Sequence, residues 1–285
     1  MGHGKVEGSE MRVWRTGILV WAALGAMPLV AQWFHYPTPG VPRLPDGKPN
    51  LSAPTPRTSD GRPDLSGIWL AGNALPCPKD LREGDDCIEK IPLSHEAVDF
   101  ASNLAGGLPY QPWAAALVKQ RVADLSKDDP HARCLPPNFP RAFAFPHLQK
   151  LIQIPGLVVI LDEFNASYRQ IFTDGRPLPD DPQPSWNGYS SGKWDGDTLV
   201  VDTIGFRDDL WLDMKGNPMT SAAKVTERFR RPSYGRLEIQ VTVNDPKAYT
   251  KPWTVTLQQA IKVDTELVDE ICLENEKSVQ HMTGK

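Results

Sequence analysis

The sequence lacks the features by which a chain grips nucleic acid or a nucleotide. Its 31 lysines and arginines are outnumbered by 35 aspartates and glutamates, for a net charge of −4, and the basic residues are scattered. Phosphate backbones are held by clustered positive charge, so nucleic acid is not an expected partner. There is no phosphate loop, no dinucleotide fingerprint and no paired-histidine zinc helix. Gly188-Tyr189-Ser190-Ser191-Gly192 matches the string of a nucleophile elbow, but it runs into a strand pattern instead of a helix, and a serine hydrolase fails on that context. Cysteines number only four, none in a CxxC pair, and the nearby histidines lack ligand spacing. Neither a metal nor another cofactor is expected from that pattern.

Long hydrophobic runs are scarce as well. The mostly apolar stretch 17–31 follows Arg12 and Arg15, and it is shorter than the ~20 residues a membrane-spanning helix needs. A positive end, a short apolar run and Ala31 as a cleavage edge make residues 1–31 a leader with a secretory signal. The expected location is therefore periplasmic or secreted, with no membrane span after cleavage. An oxidising compartment makes the even set of cysteines informative, with three possible pairings. The favoured pairing is Cys77 with Cys87, across a short acidic loop, and Cys134 with Cys272, which would tie the start of the core to its last strand.

What the chain has in excess is turn chemistry. Its 28 prolines and 22 glycines exceed the average share of a globular chain yet fall short of the ~25–30% of a disordered one. Residues 32–62 are proline-studded and lack apolar periodicity, so they read as an extended lead. Within the lead, DGKPNLS (46–52) is repeated as DGRPDLS (60–66), two Asp-Gly turns each followed by a short extended piece. A single domain is expected over 63–275 and a polar tail over 276–285. Ser94 can cap a helix reaching about Leu104, and Pro112 opens a second whose Leu117, Val118, Val122 and Leu125 share a face. From Leu148 the period changes to short β-branched and aromatic runs divided by turns: 151–154, 157–164, 168–173, 188–194, 198–204, 224–230, 237–243, 254–263 and 266–273. Connections of hairpin length exclude a mainly parallel sheet. The expected fold is mainly β, an antiparallel meander forming a barrel or strongly curved sheet, with two short helices before it.

Several blocks recur together: PDLSGIW (63–69), RCLP (133–136), GYS (188–190), WDGDTLVVDT (194–203), ERFRR (227–231) and DPKAYTKPW (245–253). On these the chain resembles a family of exported proteins from soil and marine bacteria over about residues 60–275. The resemblance implies export. It implies no reaction and carries no catalytic residue.

The segment 186–206 (WNGYSSGKWDGDTLVVDTIGF) concentrates rings, carboxylates and hydroxyls around an Asp-Gly turn, the strongest short hairpin signal. Asp195 and Asp197 have too few companions at alternating positions for a calcium loop. Glu163 ends an apolar run and Arg169 opens the next, which suits a cross-strand pair. If buried in a barrel mouth, Glu163 would instead be a proton-transfer group. His147 and Arg141 bracket an aromatic, proline-rich link that is apolar enough to line a cleft. Candidate catalytic residues are therefore Glu163, His147, Asp195 and Asp202, the last if it points inward. Candidate ligand contacts are Arg141, Arg169, Trp186, Tyr189 and Trp253. Three functions follow: a small-molecule or saccharide binder, a metal-free acid–base enzyme (hydrolase, lyase or isomerase) using the same cavity, or a structural envelope protein.

Overall fold

The computed structural model describes residues 37–72 and 94–274. The proposed Cys77–Cys87 bond, the leader and most of the polar tail lie outside these residues. Nine strands close into a barrel: β1 (Gly67–Ala71), β2 (Gln149–Ile154), β3 (Leu157–Asp162), β4 (Ser167–Phe172), β5 (Tyr189–Asp195), β6 (Thr198–Ile204), β9 (Lys224–Ser233), β10 (Arg236–Asn244) and β11 (Trp253–Lys262). Their order around the wall is β1-β11-β10-β9-β6-β5-β4-β3-β2, and β2 returns to β1. A two-stranded ribbon, β7 (Leu210–Trp211) with β8 (Pro218–Met219), lies in the β6–β9 connection.

The alternation read from the sequence is the inside–outside alternation of this wall. On β10, Leu237, Ile239, Val241 and Val243 are buried while Glu238, Gln240 and Thr242 are not. Asp195 pairs with Thr198 around a two-residue loop whose first member, Gly196, has φ +57, so the Asp-Gly signal is a tight hairpin. The repeated DG segments form two turns with matching hydrogen bonds. Leu44 N–H donates to Lys48 O and Thr58 N–H to Arg62 O, at 2.8 and 2.9 Å. Each turn is clipped to the barrel by the arginine that opens it, Arg43 to Asp264 and Arg57 to Asp197.

Three sequence expectations need correction. Residues 266–273 are not a strand. β1 already pairs with both β2 and β11, so the closed barrel offers no edge, and only Glu270 makes a bridge, to Phe164. Helix α1 (His95–Val98), capped by the Ser94 hydroxyl as expected, stops after one turn. The amides beyond it are taken by carboxylates instead: Phe100 N–H by Asp213 and Ala101 N–H by Asp99. Helix α2 (Pro112–Ala123) buries Ala114 and Val118, whereas Val122 and Leu125 are exposed and Leu125 has left the helix with φ +55.

The aromatic link after α2 does not lie on the surface. Phe139, Phe143 and Phe145 are all buried, and the short 3-10 turn Arg141–Ala144 plugs one end of the barrel. Gln149 and Gln259, pointing inward from β2 and β11, donate to the carbonyls of Ala142 and Phe143. Below the plug lies an ionic centre. Arg169 on β4 and Glu227 on β9, with side chains 2% and 0% exposed, form a two-pronged pair. Arg169 also donates to Ser190 on β5 (3.1 Å) and Thr203 on β6 (2.9 Å), and its guanidinium sits 5.2 Å from the centre of the Phe139 ring. Glu163 is therefore not the partner of Arg169.

A disulfide joins Cys134 to Cys272, as expected, with Cα atoms 5.3 Å apart across 138 residues of sequence. Replacing both cysteines by serine should lower unfolding free energy by about 2–5 kcal/mol in urea titration. A single Glu227→Gln change leaves Arg169 buried without a countercharge and should cost about 3–5 kcal/mol. The double change Arg169→Met with Glu227→Leu should recover much of that loss in the same titration.

Candidate functional site

All the contacts along the barrel wall are antiparallel except one. β4 and β5 run parallel and share only two paired positions, Ile171 with Ser190 and Phe172 with Ser191. The first half of β4 thus has no strand partner on that side, and the chain arriving at β5 splays away from it. A cleft of about 400 Å3 opens there, lined by Tyr168, Arg169, Gln170, Phe172 and residues 185–190. Asn187 patches the unpaired edge, its Nδ2 donating to Tyr168 O at 3.0 Å, while its Oδ1 accepts from Phe139 N–H of the plug. Gly188 is required at this bend. Its φ is +63, and a Cβ would stand 2.6 Å from Ile204 O and 2.8 Å from Thr203 Cγ2.

The cleft is aromatic and electrically quiet. Phe172 and Tyr189 stack at 5.3 Å, with the Arg176 guanidinium 4.0 Å from the centre of the Phe172 ring. Arg207 lies 4.6 Å from the Trp186 ring centre, and Tyr168 is largely exposed. The three arginines are already neutralised: Arg169 by Glu227, Arg176 by Asp174 and Arg207 by Asp209. Among the described residues the lining contains no carboxylate and no imidazole. Ser190, the central serine of GYSSG, bonds Arg169 and Thr203 instead of a histidine.

Of the expected ligand contacts, Arg169, Trp186 and Tyr189 come together here. Arg141 and Trp253 do not. Arg141 is buried against Asp129, with bonds of 2.8 and 2.5 Å. Trp253 is a core side chain packed on Phe100 and Tyr249, and so has no face to offer a ligand. Phe172 and Asn187 went unrecognised in the sequence, because what recruits them is the parallel seam.

The four expected catalytic residues divide. Glu163 and His147 meet at the plugged end of the barrel, where β3 ends and β2 begins. Glu163 Oε1 accepts from Leu148 N–H at 2.8 Å, and His147 Nδ1 lies 3.0 Å from Glu270 Oε2. Burial raises the Glu163 pKa against the pull of the Leu148 amide and His147. For His147, burial alone would lower the pKa, but the Glu270 bond and the charges of Glu270, Asp162 and Glu163 outweigh it and raise it. The His147 bond in turn lowers the Glu270 pKa. Burial pushes Asp162 up to about 7. Next to them His131 is stacked on Phe145 and lies at a tilt against Phe164, and burial, then Arg141 and His147, push its pKa down to about 4. Glu270 was missed by sequence reading. The signal for it was the disulfide, because joining Cys134 to Cys272 brings residue 270 to the neighbourhood of His131.

Asp195 and Asp202 belong elsewhere. β3 ends at the plug, β4 starts there, and β5 runs parallel to β4, so Asp195 lies at the opposite end, paired with Arg228. Asp202 points outward between the inward Val201 and Thr203, and it bonds Thr226 Oγ1 and Lys224. Asp195→Asn and Asp202→Asn should each change unfolding free energy by less than about 1 kcal/mol, as partly exposed pairs do. Denaturant titration of the two variants checks this. Among the described residues no helix is long and apolar enough to cross a membrane. No family model matches the chain, no curated protein matches it, and no solved structure matches it.

Proposed function

We propose that the chain is an exported binding protein that takes a neutral, polyhydroxylated small molecule, a saccharide above all, into the cleft between β4 and β5 and leaves it unaltered. The observation that carries this reading is the cleft's lining: the rings of Trp186, Tyr189, Phe172 and Tyr168 set beside Asn187, Gln170 and Ser185, with no carboxylate or imidazole among them. The apolar face of a sugar ring stacks on such rings, and amide and hydroxyl groups meet its hydroxyls. Arginines already paired to carboxylates add polarity without selecting an anion. The second expectation, acid–base catalysis in the same cavity, finds none of its four candidate residues in the lining, where the Tyr168 and Tyr189 phenols are the titratable groups without a charge. Export rests on the leader in residues 1–31 and on the family resemblance.

Titrating a broad panel of mono- and oligosaccharides while following tryptophan fluorescence and thermal stability tests the proposal. At least one sugar should bind without turnover, and Trp186→Ala and Tyr189→Ala should each weaken it by about tenfold or more, roughly the 1.4 kcal/mol scale of one stacked ring. A panel that leaves both signals unchanged at millimolar concentration would sink it.

A further inference from the structure

We infer that His147, Glu163 and Glu270 form a binding site for a divalent transition-metal ion of the zinc type. One ligand atom from each residue lies within 4.8 Å of the other two. One imidazole and two carboxylates make a donor set suited to a borderline cation. With bonds of about 2.0–2.2 Å, the ligands of a tetrahedral ion stand roughly 3.3 Å apart, close to the 3.0 Å already separating His147 Nδ1 from Glu270 Oε2. Glu163 Oε1 is held by the Leu148 amide, which leaves its other oxygen for the ion.

Two donors flank the ends of the β2–β3 hairpin and the third comes from the segment after β11, and the backbone around them is locked together. Glu163 and Leu148 exchange a bond through Glu163 N–H, 3.1 Å from Leu148 O. Glu270 N–H donates to Glu163 O at 2.9 Å, and Asn165 N–H donates back to Glu270 O at 2.6 Å. Asn165 then fastens both halves of the disulfide, bonding Cys134 O and Cys272 N–H. With the backbone held this firmly, only the side chains remain to be ordered when an ion enters.

Charge favours a cation as well. Asp162, Glu163 and Glu270 converge on His147, and neither Glu163 nor Glu270 has a lysine or arginine partner among the described residues. A separate observation bears on the same place. The His131 ring is 5.9 Å from that of His147, and its Nδ1 is buried without a hydrogen-bond partner. A buried nitrogen with no partner is a polar group still open to hydrogen bonding, close to the three proposed ligands. Arg141, whose charge acts on His131, is committed to Asp129.

The site is independent of the saccharide cleft, so the two can fail separately. The test uses the full chain with its disulfide intact, stripped with EDTA and titrated with zinc chloride by calorimetry and thermal shift. Zinc should bind and raise the melting temperature. His147→Ala, Glu163→Gln and Glu270→Gln should each weaken that binding by about tenfold or more, the lower edge of what losing a ligand or its support costs. Glu266→Gln, at an exposed acid paired with Lys150, should leave it unchanged. Circular dichroism confirms that each variant is folded, and the half-exposed Glu270 is the change least able to perturb the fold. Absence of zinc binding to the wild-type chain overturns the inference. So does binding that the folded Glu270→Gln and His147→Ala variants retain in full.

Discussion

The barrel depends on one guanidinium. Closing nine strands requires the short parallel seam between β4 and β5, where only two residue pairs meet and the ladder is weakest. Arg169 crosses that seam from the inside. From β4 it reaches Ser190 on β5, Thr203 on β6 and Glu227 on β9, so a single side chain ties together four consecutive members of the wall. A buried charge pair gains little over apolar packing in stability alone. Its advantage here is direction: hydrophobic residues would fill the space without specifying which strand follows β4. Phe139 covers the pair from the plug side, which keeps water away and strengthens the attraction.

The cleft is a consequence of the same seam. Had β4 and β5 paired along their full length, no groove would open between Tyr168 and Trp186. Because the pairing is short, β4 keeps unpaired backbone, and the chain must bend at Gly188, where no side chain fits. The plug links the two candidate sites. Its first aromatic, Phe139, touches the cleft through Asn187 and Arg169, and its last, Phe145, stacks on His131 beside His147.

Much of the wall is legible in the periodicity of the sequence. The strands at 151–154, 198–204 and 237–243 and the Asp-Gly hairpin at 195–197 were readable because local alternation and turn chemistry determine them, while the Cys134–Cys272 bond was favoured among three pairings from the even cysteine count. Whatever depended on closure was not readable. Residues 266–273 have the β-branched and apolar residues of a short strand, but a closed barrel has no place for a tenth neighbour. Glu163 and Arg169 sit at hairpin spacing, yet Arg169 turns to Glu227, far along the chain, because the interior needs a charge to meet it there. Local pattern cannot distinguish an outward Asp202 from an inward one until the register of its neighbours Val201 and Thr203 is known.

Glu270 shows how a covalent constraint carries functional information that periodicity does not. Its segment forms no strand and packs little apolar surface, so nothing local predicts where it lies. The disulfide two residues later and the clasp of Asn165 on both sides of it determine the position of that carboxylate as firmly as a strand would. Conformational entropy explains the arrangement: an irregular tail can present a ligand group only if something else restricts its freedom. The chain therefore builds its two candidate sites by opposite means. The cleft comes from a place where strand pairing is withheld. The His147 cluster comes from a place where cross-links are added to chain that has no pairing of its own.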